Sequence, residues 1–386
     1  MTSTIELPLL TAESATEEIT GLLDLTPRGD GALRVRGGLP SSGDVAVPAA
    51  LIRRHGLRRG DAVTGRCEQP RALSAVERVN GLPPQALGDR PRFRDLTPLH
   101  PNRRLRLESP SGGVAMRLVD LVAPIGKGQR GLVVAPPRTG KTVLLQQIAA
   151  AVAANHPECH LMVVLVDERP EEVTDMRRSV RGEVFASTFD RPAKEHVALA
   201  ELAVARAERL VEQGRDVVVL LDSLTRLCRA HNTACAAGGR TLSGGVDALA
   251  LSGPKRLFGA ARQAEEGGSL TILATALVET GSRADDYFFE ELKGTGNMEL
   301  RLDRHLAARR VHPAVDIPAS GTRREELLIP EGELSAVRGL RRALHGRDPH
   351  HALETLLDRL RRTPGNAAFL RAVRRTVPGA GTGPAH

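Results

Sequence analysis

The chain has 386 residues, of which 41% are hydrophobic and 26% are charged, and its formal net charge is +8. This length predicts two or three domains, and the positive charge favours an anionic partner. The four cysteines lack metal-binding spacing, the N-terminus lacks a secretory signal, and no stretch is long and apolar enough to cross a membrane. We therefore expect a cytoplasmic protein with reduced thiols, and no disulfide scaffold, zinc site or membrane partner.

The first quarter of the chain predicts a small barrel. Residues 1–20 are polar and acidic, and we expect a disordered or short N-terminal segment there. Between residues 21 and 92, short β-like runs are broken by Gly, Pro and Asp. This close spacing with turn signals predicts about five strands. Residues 93–125, rich in Pro and Arg, are predicted to be a connector.

The remainder predicts an α/β domain. Apolar runs alternate with helix-length segments from residue 126 onward, at 132–135, 161–166, 217–221 and 270–274. Buried parallel strands with crossover helices have this rhythm, so we expect a parallel sheet within 126–332. We expect C-terminal helices within 333–377, at 333–344, 351–361 and 366–376, and a disordered tail over 378–386.

The most informative motif is Ala135-Pro-Pro-Arg-Thr-Gly-Lys-Thr142, which joins an apolar run to a helical run. A strand, a glycine-containing loop and a helix predict a phosphate cradle, because backbone N–H groups and the helix N-terminus carry partial positive charge. Lys141 would add a full charge for the β- and γ-phosphates, and Thr142 a hydroxyl for Mg²⁺. The motif therefore predicts a site for the phosphates of a nucleotide and for Mg²⁺.

Two later apolar runs end in carboxylates. Glu168 follows run 161–166 and is the candidate for polarising the water that attacks a γ-phosphate. Asp222 follows run 217–221 and is the candidate for an Mg²⁺ site shared with Thr142. Either acid alone is typical of a solvated strand end, but together they follow a phosphate loop in the expected order.

Two glycine-containing loops, 236–245 and 279–285, each combine a hydroxyl with an arginine. Such loops suit a nucleic-acid backbone, because arginine and N–H groups bind phosphates, although ordinary mobile loops share this composition. Further on, Arg323 is either a finger that reaches a neighbouring subunit's γ-phosphate or an ordinary surface arginine.

Taken together, these residues resemble the Rho transcription termination factors, which are RNA-dependent hexameric helicases with a RecA-like motor. The strings that carry the resemblance are Leu96–His100, Pro124–Gly131, Val166–Val173, Gly244–Asp247, Lys255–Arg262 and Lys293–Glu299. Residues 44–62 more faintly resemble the family's cold-shock-type RNA-binding barrel. A rotary ATP synthase subunit or a recombinase shares the phosphate loop but lacks the strings at 166–173 and 293–299.

The resemblance implies an α/β fold: a RecA-like P-loop NTPase core at 126–332, preceded by an OB/cold-shock-like barrel at 21–92 and followed by short helices. It implies RNA-stimulated ATP hydrolysis that drives 5'-to-3' RNA translocation in transcription termination. It also implies RNA, the RNA polymerase complex and a homo-hexamer as partners.

Site residues follow from the resemblance position by position. The implied catalytic residues are Lys141, Glu168, Asp222 and Arg323. The implied ATP-binding residues are Gly126, Lys127, Gly128, Gln129, Arg130, Gly131, Arg138, Thr139, Gly140, Lys141, Thr142, Val143, Arg169 and His312. The implied RNA-binding residues of the two central-pore loops are Arg240, Thr241, Leu242, Ser243, Gly244, Gly245, Gly281, Ser282 and Arg283.

Three departures from the family pattern stand out. Residues 1–92 contain no Phe, Tyr or Trp, whereas relatives stack RNA bases on aromatics in the barrel. The helical bundle that usually precedes the barrel is missing or shortened, and His312 replaces an aromatic that packs on the nucleotide base. The first two departures favour an alternative: a non-translocating Rho-like paralogue that binds nucleotide and RNA or modulates another Rho ring. The presence of Glu168, Asp222 and Arg323 favours the active ATPase.

Overall fold

The computed structural model describes residues 17–68, 71–109, 113–235 and 242–376. The chain divides into two units, the first ending at Asp89 and the second beginning at Arg90. The strands are β1 (Glu17–Leu25), β2 (Gly31–Arg34), β3 (Val45–Val47), β4 (Ala62–Glu68), β5 (Ala72–Val79), β6 (Pro98–Leu99), β7 (Arg104–Leu105), β8 (Ile125–Gly126), β9 (Arg130–Ala135), β10 (His160–Glu168), β11 (Glu183–Thr188), β12 (Asp216–Asp222), β13 (Arg262–Ala264), β14 (Ser269–Leu277), β15 (Met298–Arg301) and β16 (Gly321–Thr322).

Helices alternate with the strands of the second unit and then close the chain. The helices are α1 (Ala49–Arg54), α2 (Gly113–Val122), α3 (Lys141–Asn155), α4 (Pro170–Ser179), α5 (Ala193–Val211), α6 (Leu224–Ala234), α7 (Ser252–Gly259), α8 (Arg283–Lys293), α9 (Arg304–Ala308), α10 (Glu331–Leu344), α11 (Pro349–Arg361) and α12 (Asn366–Thr376).

The first unit is a closed barrel with strand order β1-β2-β3-β5-β4, which confirms the predicted five-stranded barrel. Apolar side chains fill its interior from alternate positions, among them Leu23, Leu33, Val63 and Leu73. Strand β1 begins at Glu17, before the predicted start at residue 21. Pairing with β4 holds residues 17–20 in the strand. Ile19 is the one apolar residue among these four, so they do not form the apolar run that predicts a strand.

The second unit is built on a sheet with the order β11-β10-β12-β14-β9-β15-β16. The six strands from β11 to β15 in this order run parallel, and β16 is antiparallel to β15. Each apolar run predicted to be a buried strand lies in this sheet, and β14 is buried at all but its last residue. The predicted parallel α/β fold is therefore confirmed.

The predicted connector at 93–125 contains a helix, α2, whose residues from Ala115 to Val122 are all buried. Its two charged residues have partners: Asp120 accepts the N–H groups of Leu107 and Glu108, and Arg117 donates to Leu360 and Thr363 carbonyls. Because charged residues occupy these two buried positions, the sequence pattern does not predict a buried helix here. Leu118, Leu353 and Phe369 belong to the same core cluster, so α2, α11 and α12 share one core with the sheet.

Within 17–68, 71–109, 113–235 and 242–376, no helix combines the length and apolarity that a membrane span requires.

Candidate nucleotide-binding and catalytic site

The predicted cradle lies between β9, which ends at Ala135, and α3, which begins at Lys141. The loop curls tightly: Gly140 has a φ of 89° and Arg138 a φ of 67°. Arg138 therefore has a left-handed backbone conformation, which favours glycine. Such strain is common at ligand-binding loops. Thr139 Oγ1 donates to the Pro136 carbonyl at 2.8 Å, which closes the curl. The N-terminus of α3 therefore opens at the carboxyl edge of the sheet, where an anion is stabilised.

Lys141 and Asp222 meet at the carboxyl ends of β9 and β12. Lys141 Nζ lies 2.5 Å from Asp222 Oδ1, and Thr275 Oγ1 on the intervening strand β14 donates to the same oxygen at 2.8 Å. The Asp222 side chain is 2% exposed. Thr142 follows on the first turn of α3 and donates to Glu172 Oε2 at 3.4 Å. The structure thus brings the predicted cation, hydroxyl and carboxylate to one edge of the sheet.

These oxygen donors suit Mg²⁺, which is usually held by one or two carboxylates together with waters and substrate phosphates. The described residues contain no group of three metal-ligating side chains, so the protein alone supplies only part of a coordination sphere. A hydroxyl from Thr142 and a carboxylate from Asp222 at the same edge of the sheet therefore fit an ion that arrives with a nucleotide.

Glu168 is the last residue of β10, and its side chain is 3% exposed. Its Oε1 accepts the Arg169 N–H at 3.1 Å and lies 3.1 Å from an Arg226 guanidinium nitrogen. Its Oε2 is buried and has no partner among the described residues. Burial raises the pKa of the Glu168 carboxyl, Asp222 adds to this effect, and Arg226 and Lys141 oppose it. A buried carboxylate with one free oxygen is suited to accept a proton from a water molecule.

Arg226 is a site residue that the sequence alone does not reveal. It lies on α6, where Ser223 accepts its N–H at 3.1 Å and so caps the helix. Its guanidinium contacts both Glu168 Oε1 and the Asp167 carbonyl. The sequence signal is Ser223, a residue suited to cap a helix, directly after the strand-end Asp222. This pair predicts that a helix begins there, but it does not predict which carboxylate Arg226 contacts.

A cavity of about 420 Å³ opens beside the cradle. The predicted residues Thr139, Gly140, Val143 and His312 line it, and the other lining residues are Gly113, Val114, Ala115, Leu144, Gln147, Leu302, Pro313 and Ala314. Mostly apolar walls and a few polar groups are typical of a pocket for a small molecule or cofactor. Arg169 lies near the cradle as well: its side chain is 65% exposed and 3.4 Å from Glu172.

The segment 126–131, which the resemblance implies to bind ATP, lies at the opposite edge of the sheet from the cradle of its own chain. Arg130 begins β9 whereas the cradle follows the end of β9, so the two are separated by about 16 Å, five steps of about 3.3 Å. Lys127 pairs instead with Glu158 at 2.8 Å and Asp216 at 2.7 Å. Gln129 donates to Asn297 Oδ1 at 2.6 Å. Gly126, Gly128 and Gly131 pack so closely that a Cβ would lie within 3 Å of a neighbouring atom.

Arg323 lies at this same amino edge of the sheet. It follows β16, and its N–H donates to the Asn297 carbonyl at 2.9 Å. The length of β9 exceeds the reach of an arginine side chain, so Arg323 does not reach the cradle of its own chain. A role in phosphate binding therefore requires a second copy of the chain.

The two predicted RNA loops meet where both are described. A Cβ on Gly244 would lie 2.8 Å from the Ala284 backbone N, so the first loop rests on the start of α8. Ser282 caps α8 by accepting the Asp285 N–H at 3.4 Å. Gly245 and Gly281 both have positive φ values. Leu242 and Ser243 precede this contact and Arg283 opens α8, whereas Arg240 and Thr241 lie outside the described residues.

Family models match both units of the chain. The model of the Rho termination factor RNA-binding domain matches residues 19–85, and that of the ATP synthase alpha/beta family nucleotide-binding domain matches residues 115–322. Two solved structures share the fold. An assembled ATPase from a type III secretion system of enteropathogenic E. coli has a TM-score of 0.60 at 19% identity and covers 94% of this chain and 97% of its own. A prototypical type III secretion ATPase has a TM-score of 0.60 at 23% identity over 72% of this chain and 86% of its own.

Curated relatives are similar over nearly the full chain. The transcription termination factor Rho of Streptomyces coelicolor is 68% identical over 98% of this chain and 91% of its own. That of Streptosporangium roseum is 61% identical over 94% of this chain and 93% of its own. That of Streptomyces lividans is 56% identical over 98% of this chain but only 55% of its own. These matches support a P-loop ATPase with an RNA-binding domain and favour the termination factor over the paralogue. The chain belongs to the family of Rho transcription termination factors.

Proposed function

We propose that this protein hydrolyses ATP in response to RNA and uses the energy to move along RNA in the 5'-to-3' direction during transcription termination. The observation that carries the proposal is the meeting of Lys141, Asp222 and Glu168 at the cradle. The contact between the two predicted RNA loops at the start of α8 supports it. Helicase activity, the termination role and action on RNA polymerase complexes in the cytoplasm are parts of this proposal.

In this mechanism Lys141 leaves Asp222 and binds the β- and γ-phosphate oxygens. Bound Mg²⁺, held by Thr142 and Asp222, would neutralise charge on those phosphates. Glu168 Oε2 orients a water molecule and accepts its proton as the water oxygen bonds to the γ-phosphorus and the bond to the bridging oxygen breaks. His312 and the apolar walls of the cavity hold the base.

Coupling to RNA is proposed to run through the two loops. Gly244, Gly245, Gly281, Ser282 and Arg283 would offer backbone N–H groups, a hydroxyl and a guanidinium to RNA phosphates. A ring of identical copies, a homo-hexamer, would bring these loops around one RNA strand. It would also carry Arg323 of one copy toward the nucleotide of the next, where a guanidinium stabilises charge on the γ-phosphoryl oxygens.

The test is hydrolysis and duplex unwinding by the purified full chain, with and without RNA. We expect RNA to stimulate hydrolysis, and Arg283→Ala to lose that stimulation while ATP binding stays unchanged. Arg177→Ala, on the exposed face of α4, is the matched control and should behave as the wild type. ATP and RNA binding without unwinding would favour the non-translocating paralogue instead.

A further inference from the structure

A second arginine, Arg262, lies at the same amino edge of the sheet as Arg323. It is the first residue of β13, and its guanidinium carbon lies 4.7 Å from the centre of the buried Phe93 ring. Its Nε donates to the Ala260 carbonyl at 3.1 Å. Ring stacking and this hydrogen bond fix the head group while both terminal nitrogens stay available. Such an arginine is pre-organised for a planar anion.

Arg130 joins the two arginine-bearing segments. Its guanidinium donates to the carbonyl of Ala261 at 3.1 Å, next to Arg262, and to that of Thr295 at 2.9 Å. Its backbone N–H donates to Asn297 Oδ1 at 2.9 Å, and the Asn297 carbonyl accepts the Arg323 N–H at 2.9 Å. Arg130 therefore links the two backbone segments that carry Arg262 and Arg323.

The three arginines lack a counter-ion of their own. Within the described ranges of the chain, no carboxylate lies at ion-pair distance from the guanidiniums of Arg130, Arg262 or Arg323. The positive charge of Arg262 acts to lower the pKa of the Glu208 carboxyl, but Glu208 is already paired with Arg209 at 3.3 Å. Burial lowers the pKa of Arg130, and repulsion from Arg262 and Arg323 lowers it further. Like charges held together in this way favour the binding of an anion between them.

We infer that Arg262 and Arg323 form one anion site that holds the polyphosphate of a nucleotide bound in the cradle of a neighbouring copy, with Arg130 and Asn297 as positioning residues. The inference rests on the proposed function. The length of β9 excludes the cradle of the same chain. Two guanidiniums match the oxygens of a γ-phosphoryl group, which gain negative charge during transfer. The segment 126–131 thereby contributes to nucleotide binding, because its Arg130 positions the segments that carry these two arginines.

The first test compares two ligands of the full chain: ADP, which the cradle holds, and ADP with aluminium fluoride, which mimics the transferring phosphoryl group. We expect Arg262→Ala to weaken binding of the mimic at least about tenfold and to leave ADP binding unchanged, because a charge-assisted bond to the γ-position is lost. Arg262→Lys should retain part of the effect. Asn297→Ala should also weaken binding of the mimic, but by a smaller factor than Arg262→Ala. Asn297→Asp should not restore this binding.

The matched control is Arg256→Ala. Arg256 lies on α7, and its cation is already paired with Glu201 at 3.0 Å. This variant should bind both ligands as the wild type does. An unchanged affinity of Arg262→Ala for the mimic, or an equal loss of ADP and mimic, would overturn the inference. Weaker RNA binding with unchanged binding of the mimic would also overturn it and assign the pair to RNA phosphates.

The second test asks which copy supplies Arg262. Lys141→Ala and Arg262→Ala proteins are mixed, and binding of ADP with aluminium fluoride is measured. The amount bound is divided by the number of copies that retain Lys141. In a random one-to-one mixture about a quarter of the interfaces combine an intact cradle with an intact arginine face. We expect these interfaces to recover tight binding that neither variant shows alone. Recovery in a Lys141→Ala and Arg323→Ala mixture but not in this one would remove Arg262 from the site. Failure of both mixtures would contradict the proposed function itself.

Discussion

The ammonium of Lys141 lies 2.5 Å from the carboxylate of Asp222, so the cation expected at the phosphates is paired with the acid expected at Mg²⁺. Asp222 is nearly inaccessible to solvent, and Thr275 holds the paired oxygen at 2.8 Å. Nucleotide entry must exchange this ion pair for contacts with phosphate. The pair therefore links the stability of the fold to the binding site.

Replacing Lys141 should separate these two roles. Lys141→Ala should abolish hydrolysis and also destabilise the fold by about 3 kcal/mol, because it leaves a buried carboxylate unpaired. The double variant Lys141→Ala/Asp222→Asn should regain most of that stability and remain inactive. Turnover and denaturant unfolding measure the two effects. An active Lys141→Ala protein would remove Lys141 from the phosphate site.

The pH dependence of hydrolysis should report Glu168. A base must be deprotonated to act, and burial raises the pKa of this carboxyl. We expect kcat to fall as the pH drops through a pKa above the ordinary range of a glutamate. Arg226→Ala removes a cation that lowers this pKa, so its acid limb should move to higher pH. Glu168→Gln should bind ATP but not turn it over, and Arg177→Ala should keep the wild-type profile. An acid limb that stays in place in Arg226→Ala contradicts the assignment.

Gly128 should tolerate substitution less well than another glycine of similar backbone conformation. Its φ is +90° and an added Cβ would lie 2.3 Å from the Gln263 N, whereas Gly214 has a φ of +78° and open space around it. Gly214→Ala should cost about 1 kcal/mol through backbone strain alone. Gly128→Ala should cost about 3 kcal/mol, because close packing adds to the strain. Denaturant unfolding measures both, and equal losses would show that the packing at Gly128 relaxes freely.

RNA recognition by the barrel should be weak and should improve when an aromatic is added. Residues 1–92 contain no Phe, Tyr or Trp, and Ala46 is exposed on β3 between buried Val45 and Val47. A stacked base contributes about 1–3 kcal/mol, so Ala46→Tyr should tighten binding of cytidine-rich RNA by about tenfold. Ala50→Tyr, exposed on α1, is the control and should change little. Strong, cytidine-selective activation of the wild-type ATPase would contradict this prediction.

Several features follow from the sequence alone because they are local. The cradle at 135–142 is one contiguous strand, loop and helix, so its residues meet whatever the rest of the fold does. The apolar runs predict buried parallel strands, and the carboxyl ends of parallel strands share an edge, which places Glu168 and Asp222 near Lys141. Lack of aromatics in the barrel is likewise read directly from the residues.

Other features depend on strand order and strand length, which the sequence does not display. The partner of Glu168 is Arg226, and it is found only when α6 packs beside β10. The string 126–131 precedes the cradle closely in the chain, yet β9 carries the two to opposite edges of the sheet. Arg262 and Arg323 are far apart in sequence, and Arg130 joins their segments through backbone carbonyls. Proximity along the chain thus fixed the cradle, whereas the direction and register of the strands decided which charges face one another across the molecule.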